Sequence, residues 1–459
     1  MTDDDRKHTQ NLISIHQRNL KILEDQAARY GDLAVPMHIL TQINDIKDKI
    51  AELKKQLGGA ANNLSGAAQP ADPQPIMLTL RIVPQGKNAQ VTWDCDEVGH
   101  YTSKFRPPYD TATLPLVIKA LNAIQYPNHP SEGPTFEQAE RDQLANLGLW
   151  QGDRVVVDID RRVGRMLYDR LLTDDDAKIA LSGVRNAAIA NARPLTYLLR
   201  FPPDAVELAA LPWELLHDSA NPLVLSQGQL ASFVRYLELE QALPPPYSPG
   251  KRLRILAIAP SADIPPQIRA EERQARNKAW AKLQDDGAVV LDELSPAMVS
   301  DLVDRIQSGP PVDILHFYGH GRYRNGQGEL LFDSPGGGKA WIAANRLAAL
   351  LGQTRLVMLH ACKSAMVGEA GLLTGVAPAL TAAGVPLVVA MQLTVQMDAA
   401  TRFAGIVYND LARGRAIQEA VSRARQALFV ESDDGASWYV PTLTIRSRNT
   451  GPMRLIQPS

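Results

Sequence analysis

The chain has 459 residues, 45% of them hydrophobic and 21% charged, with a formal net charge of −2. That length fits two to four domains, and so even a balance of charge gives no reason to expect nucleic acid or an anionic membrane as a partner. Cys95 and Cys362 are the only cysteines; they lie far apart and in no Cys/His cluster, so neither a disulfide framework nor a structural zinc is expected, and no metal or cofactor is assigned.

The chain starts with a polar, acidic stretch, Thr2-Asp3-Asp4-Asp5, rather than a secretory signal, and the expected compartment is the cytoplasm. Residues 8–57 read as a helical hairpin. Its second half carries Ile39, Ile43, Ile46, Ile50, Leu53 and Leu57 at alternating spacings of four and three, a heptad stripe. Ile13, Leu20, Leu23, Ala27 and Tyr30 form a similar stripe in the first half, and Gly31 to Pro36 makes the turn. Two helices bury little by themselves, so the hairpin requires a partner surface: a second copy of the chain, or a helical adaptor or sensor protein. Residues 58–75, rich in Gly, Ala, Asn, Gln and Pro, read as a flexible linker.

Two α/β regions follow, 76–249 and 250–459, divided at Pro244-Pro245-Pro246 and Pro249-Gly250. In the first, Ile76–Val83 and Ala89–Trp93 read as a strand hairpin, Thr135–Leu147 as a helix, Arg154–Ile159 as a strand, Val163–Leu172 as a helix and Leu195–Phe201 as a strand. In the second, strands and helices alternate regularly. The strands are Leu253–Ala259, Val289–Leu291, Asp313–Tyr318, Arg355–His360, Leu387–Met391 and Trp438–Ile445, with a small hairpin arm at Glu329–Phe332. Crossover helices between parallel strands predict a sheet of about six strands covered on both faces. Ala370–Met397 contains no charge, yet Pro378, Gly384 and Pro386 interrupt it, so it reads as a buried helix and strand and not a membrane span.

Two of these strands end in reactive side chains. The run Asp313 to Gly321 (Asp-Ile-Leu-His-Phe-Tyr-Gly-His-Gly) brings His320 to a strand end, and Arg355 to Ala365 (Arg-Leu-Val-Met-Leu-His-Ala-Cys-Lys-Ser-Ala) does the same for Cys362. Reacting groups in open α/β sheets collect at the carboxyl ends of strands, and a thiol beside an imidazole is the minimum set for nucleophilic cysteine catalysis. In that chemistry Cys362 is the nucleophile and His320 polarises the scissile carbonyl or shuttles the proton. The backbone N–H groups of Gly321 and Cys362 are the candidate oxyanion donors. Caspases carry their cysteine in a Gln-Ala-Cys string with the histidine about 50 residues upstream; here the string is His360-Ala361-Cys362-Lys363-Ser364, with His320 upstream.

Taken together, His-Phe-Tyr-Gly-His-Gly at 316–321 and Leu-His-Ala-Cys-Lys-Ser at 359–364 resemble the two signatures of CHAT-domain proteins, of the caspase and separase clan. Leu211-Pro212-Trp213-Glu214 is similar to that family's Leu-Pro-Trp-Glu element, and the likeness extends over Ile76 to Arg446. It implies a caspase-like, mostly parallel sheet preceded by a pseudo-caspase subdomain. It also implies endopeptidase activity on a protein substrate through His320 and Cys362. His360, where a small polar residue is usual, and Met391-Gln392-Leu393, where Ser-Leu-Trp is common, depart from the pattern. The N-terminal hairpin resembles adaptor modules of bacterial conflict systems, which implies a regulated effector in defence or signalling. The alternative is a catalytically silent scaffold.

Several residues compete for roles. His316 shares strand parity with His320 but reads as a packed core imidazole. His360, two residues before Cys362, is given a supporting part. Asp333, Glu369 and Asp398 are candidates for lining the substrate pocket, where one of them would favour Arg or Lys before the cut; the alternative is ordinary solvated loop acids. Trp213 and Glu214 are expected to be architectural, with Arg235 as a partner for the carboxylate. Cys95 has no basic neighbour to activate it and is expected to be structural or incidental.

Overall fold

A computed structural model describes residues 74–126, 133–225, 231–244, 247–262, 264–285, 287–324, 327–361, 372–431, 436–448 and 450–457. The hairpin expected over 8–57 and nearly all of the linker expected over 58–75 lie outside the described residues.

Gln74–Ser459 forms one compact unit. Its centre is an eleven-stranded sheet in the order β3-β2-β1-β6-β7-β16-β15-β14-β10-β8-β9. The first region contributes β1 (Ile76–Gln85), β2 (Asn88–Cys95), β3 (Gly99–Phe105), β6 (Leu195–Phe201) and β7 (Ala231–Leu237). From the second come β8 (Leu253–Ile258), β9 (Val289–Leu294), β10 (Ile314–Gly319), β14 (Leu356–Ala361), β15 (Leu387–Met391) and β16 (Pro441–Ile445). Trp150–Gln151 (β4) and Arg154–Val155 (β5) pair with each other, and β11 (Gly321–Arg324), β12 (Gln327–Ser334) and β13 (Gly338–Ala343) form a separate antiparallel sheet.

Strands β1, β6, β7 and β16 run parallel to one another. Strands β15, β14, β10, β8 and β9 are likewise mutually parallel, and the β15–β16 pair is antiparallel. The sheet therefore has two halves of opposite direction, and the carboxyl ends of one half lie on the edge opposite to those of the other. The last strand of the chain crosses back to join the halves.

Continuous apolar strands are what a sheet buried on both faces requires. Alternation divides their residues cleanly. Leu256, Leu315, Phe317, Val357, Leu359 and Val388 pack in one core cluster with Leu302, Leu347 and Leu380 of helices Val299–Ser308, Ala344–Ala348 and Leu372–Ala382. Ile255, Ile314, Tyr318, Leu356, Met358 and Val389 pack in the other, against Trp280, Tyr408 and Val421 of helices Pro266–Asp285, Met397–Ala412 and Ile417–Glu431. Both faces are thus covered. None of the helices among the described residues is long and apolar enough to cross a membrane.

Most expected elements are present within a few residues of their expected bounds. The strand expected at Arg154–Ile159 is not: pairing covers only Arg154–Val155, and a helix spans Ile159–Leu171. The chain turns after Val155, and from Ile159 the buried Ile159, Val163, Leu167 and Leu171 recur every four residues, so the end of the expected strand is the start of a helix. Helices Leu114–Ala123 and Asp175–Ala190 and strands β3, β11 and β13 carry no expectation from sequence. The buried stripe of Asp175–Ala190 is mostly alanine (Ala177, Ala180, Ala188), a weak periodic signal.

Gly164 lies where helix Ile159–Leu171 crosses the Leu-Pro-Trp-Glu-Leu-Leu segment. A Cβ there would come within 1.9 Å of the Leu215 carbonyl oxygen. Since the obstruction is backbone, Gly164→Ala is expected to destabilise the protein by about 1–3 kcal/mol, the usual cost of overpacking, measured as a lower urea midpoint at unchanged m-value.

Candidate active site at the ends of two neighbouring strands

β10 and β14 are adjacent and parallel, with Ile314 opposite Leu356, Tyr318 opposite His360 and Gly319 opposite Ala361. His320 follows Gly319 directly, half-buried between β10 and β11, and its carbonyl accepts the N–H of Leu331 at 2.9 Å. A Cβ on Gly319 would meet the Phe317 ring at 3.1 Å and Pro260 at 3.5 Å, so glycine keeps this turn tight. Gly321 is buried, opens β11 and stands opposite Leu330. Cys362 and Glu369 lie outside the described residues; Ala361, to which Cys362 is peptide-bonded, is the last residue of β14.

Behind these strand ends is a buried polar chain. The Tyr408 hydroxyl lies 2.7 Å from Nδ1 of His316, and His316 Nε2 lies 3.0 Å from Nδ1 of His360. His316 stacks on Tyr318 with ring centroids 4.0 Å apart, and the Trp280 ring lies 5.4 Å away. Both imidazoles are fully buried, and burial is the main cause that lowers their pKa values, to about 3 for His360 and well below the ordinary value for His316. The Arg276 guanidinium, over the Tyr318 ring at 4.7 Å and paired with Glu293 at 2.6 Å, adds to this. The two histidines are neutral at pH 7. Each then carries one N–H, so proton direction is correlated along the chain: Tyr408 donates to His316 and His316 to His360, or both bonds reverse. His360 Nε2 is the buried end of this chain and has no hydrogen-bond partner among the described residues.

A histidine kept neutral by the fold weakens it in acid. Above pH ~6.5 neither state of His360 binds a proton. As pH falls toward 3 the unfolded chain binds one and the folded chain does not. Between pH 7 and pH 5 this costs about 2 kcal/mol for His360 alone. Urea unfolding at the two pH values, compared with the same measurement on His360→Gln, is expected to show that excess loss only in the unaltered protein.

A model of the CHAT domain matches residues 161–442, more than half of the chain and inclusive of both strand ends. The chain belongs to the CHAT-domain family. The matched span is narrower than the Ile76–Arg446 likeness read from the motifs. None of the curated proteins matches this chain. Among solved structures it is similar to Saccharomyces cerevisiae separase in two complexes with securin. Identity is 10% in each, TM-scores are 0.39 and 0.42, and the match covers 81% of this chain. The chain spans 30% of the length of those separase chains. It is also similar to the complex of Porphyromonas gingivalis RgpB pro- and mature domains, at 11% identity and TM-score 0.35, over 67% of this chain and 77% of that one. Scores at this level transfer no residue role.

Within the CHAT domain, Asp333 is buried and its carboxylate accepts four donors. These are the N–H and hydroxyl of Ser261 and the N–H groups of Ala262 and Ala297, all at 2.6–2.9 Å. It clasps the loops after β8 and before helix Val299–Ser308 to β12. The pocket part considered for it from sequence gives way to this one, because a carboxylate so saturated has little left for a substrate cation. Asp398 is exposed in the first turn of helix Met397–Ala412, which follows β15 at the edge where β10 and β14 end.

The Leu-Pro-Trp-Glu element is buried at the seam of the two sheet halves. Trp213 donates Nε1–H to the Leu208 carbonyl at 2.7 Å. Glu214 makes a two-point ion pair with Arg235 of β7 and lies 3.7 Å from Arg425. Gln392, in the loop after β15, donates to Glu214 at 3.1 Å and to the Tyr439 carbonyl at 2.6 Å, and accepts from Arg235 at 3.2 Å. Glu214 and Arg235 are the pair expected from sequence, Gln392 stands out there only through its tripeptide, and Arg425 carries no expectation. The departure from Ser-Leu-Trp at 391–393 is the signal that pointed to Gln392. Cys95 is also accounted for: its thiol hydrogen-bonds Glu97 at 3.1 Å, and burial pushes its pKa up to about 11, so it is protonated and unreactive at pH 7.

Proposed function

We propose that the protein is a cysteine endopeptidase acting on a protein substrate. The Cys362 thiolate attacks the scissile carbonyl, and His320 takes the thiol proton and returns it to the leaving amine. The N–H groups of Gly321 and Cys362 hold the oxyanion. Water then attacks the thioester, releasing the acid and regenerating the thiol. Asp398 and Glu369 are the acids left to line the pocket for a basic side chain. Residues 8–57 receive a helical adaptor or sensor protein or pair with a second copy, and this engagement regulates the peptidase as an effector in defence or signalling.

The observation that carries this reading is the β10–β14 register. It pairs Gly319 with Ala361, the residues bonded to His320 and Cys362, on backbones about 4.8 Å apart. Family membership supports the same pair. Labelling by iodoacetamide, followed by peptide mass spectrometry, tests it. Cys362 is expected to react at pH 7 faster than free cysteine, and His320→Ala to bring it back to the free rate, with Cys95 as the inert internal reference. Slow labelling of Cys362, even with an activating partner present, would leave the scaffold reading in its place.

A further inference from the structure

On the opposite edge of the sheet from His320, the carboxyl ends of β1, β6, β7 and β16 frame a second site. Arg81, Arg200 and Tyr236 stand side by side on three neighbouring strands, each opposite the next. With Glu238, Leu243 and Arg446 they line an open cleft of about 450 Å³. Ligands of open parallel sheets bind at such carboxyl ends.

The charge in this cleft is unbalanced. Glu238 pairs with Arg81 and with Arg200, both at 2.9 Å, and Asp204 also attracts Arg81. Arg446 has no such neighbour. Its side chain is fully buried, and its guanidinium donates to the carbonyls of Thr381, Ala382 and Gln241. Among the described residues its Nε–H has no partner, and neither has that of Arg200. Among the described residues no carboxylate pairs with Arg446, and a buried cation without a counter-charge is costly. Leu237 and Leu239, which line the cleft, also line an adjoining apolar cavity of about 60 Å³ between Phe201, Pro202, Ala209 and Pro378.

We propose that this cleft binds a small amphiphilic anion, its carboxylate or phosphate group held by Arg200 above the buried charge of Arg446 and its short apolar chain lying over Leu237 and Leu239 into the adjoining cavity. Guanidinium groups suit either oxyanion, and the cavity admits only a few methylene groups. The site is independent of the peptidase reading, since it lies across the sheet from the strand ends that carry it.

Calorimetric titration of the full chain in 0.15 M KCl tests this with four probes: hexanoate, butyl phosphate, inorganic phosphate and hexanol. Saturable binding of hexanoate or of butyl phosphate is expected, and whichever binds identifies the head group. Inorganic phosphate and hexanol, each lacking one half of the ligand, are expected to bind at least tenfold more weakly. Arg446→Gln alters a buried position and can compromise folding, so the half-exposed Arg200→Gln carries the test. It is expected to weaken binding about tenfold, the effect of losing one charged hydrogen bond. Absence of saturable binding by both amphiphiles, or equal affinity in a folded Arg200→Gln, would overturn the proposal.

Discussion

His320→Ala is expected to slow peptide cleavage by about a hundred- to ten-thousand-fold, the usual contribution of a positioned general acid–base, and Cys362→Ala to abolish it. Stability is expected to hold to within about 1 kcal/mol, because His320 is only half-buried and alanine keeps the backbone carbonyl that accepts the Leu331 N–H. The contrast with the other histidines is the sharper part of the prediction. His360→Gln removes a fully buried ring bonded to His316, so its loss is expected in unfolding free energy, with kcat within about tenfold of the unaltered protein. Steady-state cleavage of a peptide library, with urea unfolding of each variant, measures both. Full activity in His320→Ala would end the dyad assignment.

The second large effect is expected at Glu214. This carboxylate faces Arg235 and Arg425, all three fully or almost fully buried, so Glu214→Ala leaves two guanidinium groups without a counter-charge in the core. Removing one partner of a buried ion pair costs about 3–5 kcal/mol, a large share of the ~5–15 kcal/mol that holds a typical domain folded. Replacing Glu214 and Arg235 together by leucine is expected to recover only part of that loss, because Arg425 remains. Gln392 ties the same cluster to the loop after β15, so the damage is expected to reach the edge where β10 and β14 end. Chemical denaturation of the single and double variants decides it. A Glu214→Ala protein as stable as the parent would show the pair to be idle.

The strand ends were legible from short-range pattern. Apolar runs stopped by Gly319-His320-Gly321 and by Ala361-Cys362 mark buried strands and their termini without any knowledge of neighbours, and the order of elements from Leu253 onward follows from alternating period. Asp333 was not legible in the same way. A loop acid looks alike whether it faces solvent or four donors from distant loops, and only the folded chain brings Ser261, Ala262 and Ala297 to it. The segment at Arg154–Ile159 misled because β-branched residues favour a strand locally, whereas the chain turns after Val155 and Ile159 starts a helix that buries Val163 and Leu167 on the same face.

The sequence by itself determined the alternating α/β pattern, the placing of His320 and Cys362 directly after two apolar runs and the Leu-Pro-Trp-Glu element, since each of these is written in contiguous residues. Only the tertiary structure decided that the two α/β regions share one eleven-stranded sheet, because β7 and β16 meet across two hundred residues of chain on the strength of long-range burial. It alone decided that His316 and His360 face each other, that Asp333 clasps loops, and that Arg446 is buried beside an open cleft. Contacts of that kind depend on register between distant segments, and no local pattern in the chain encodes register.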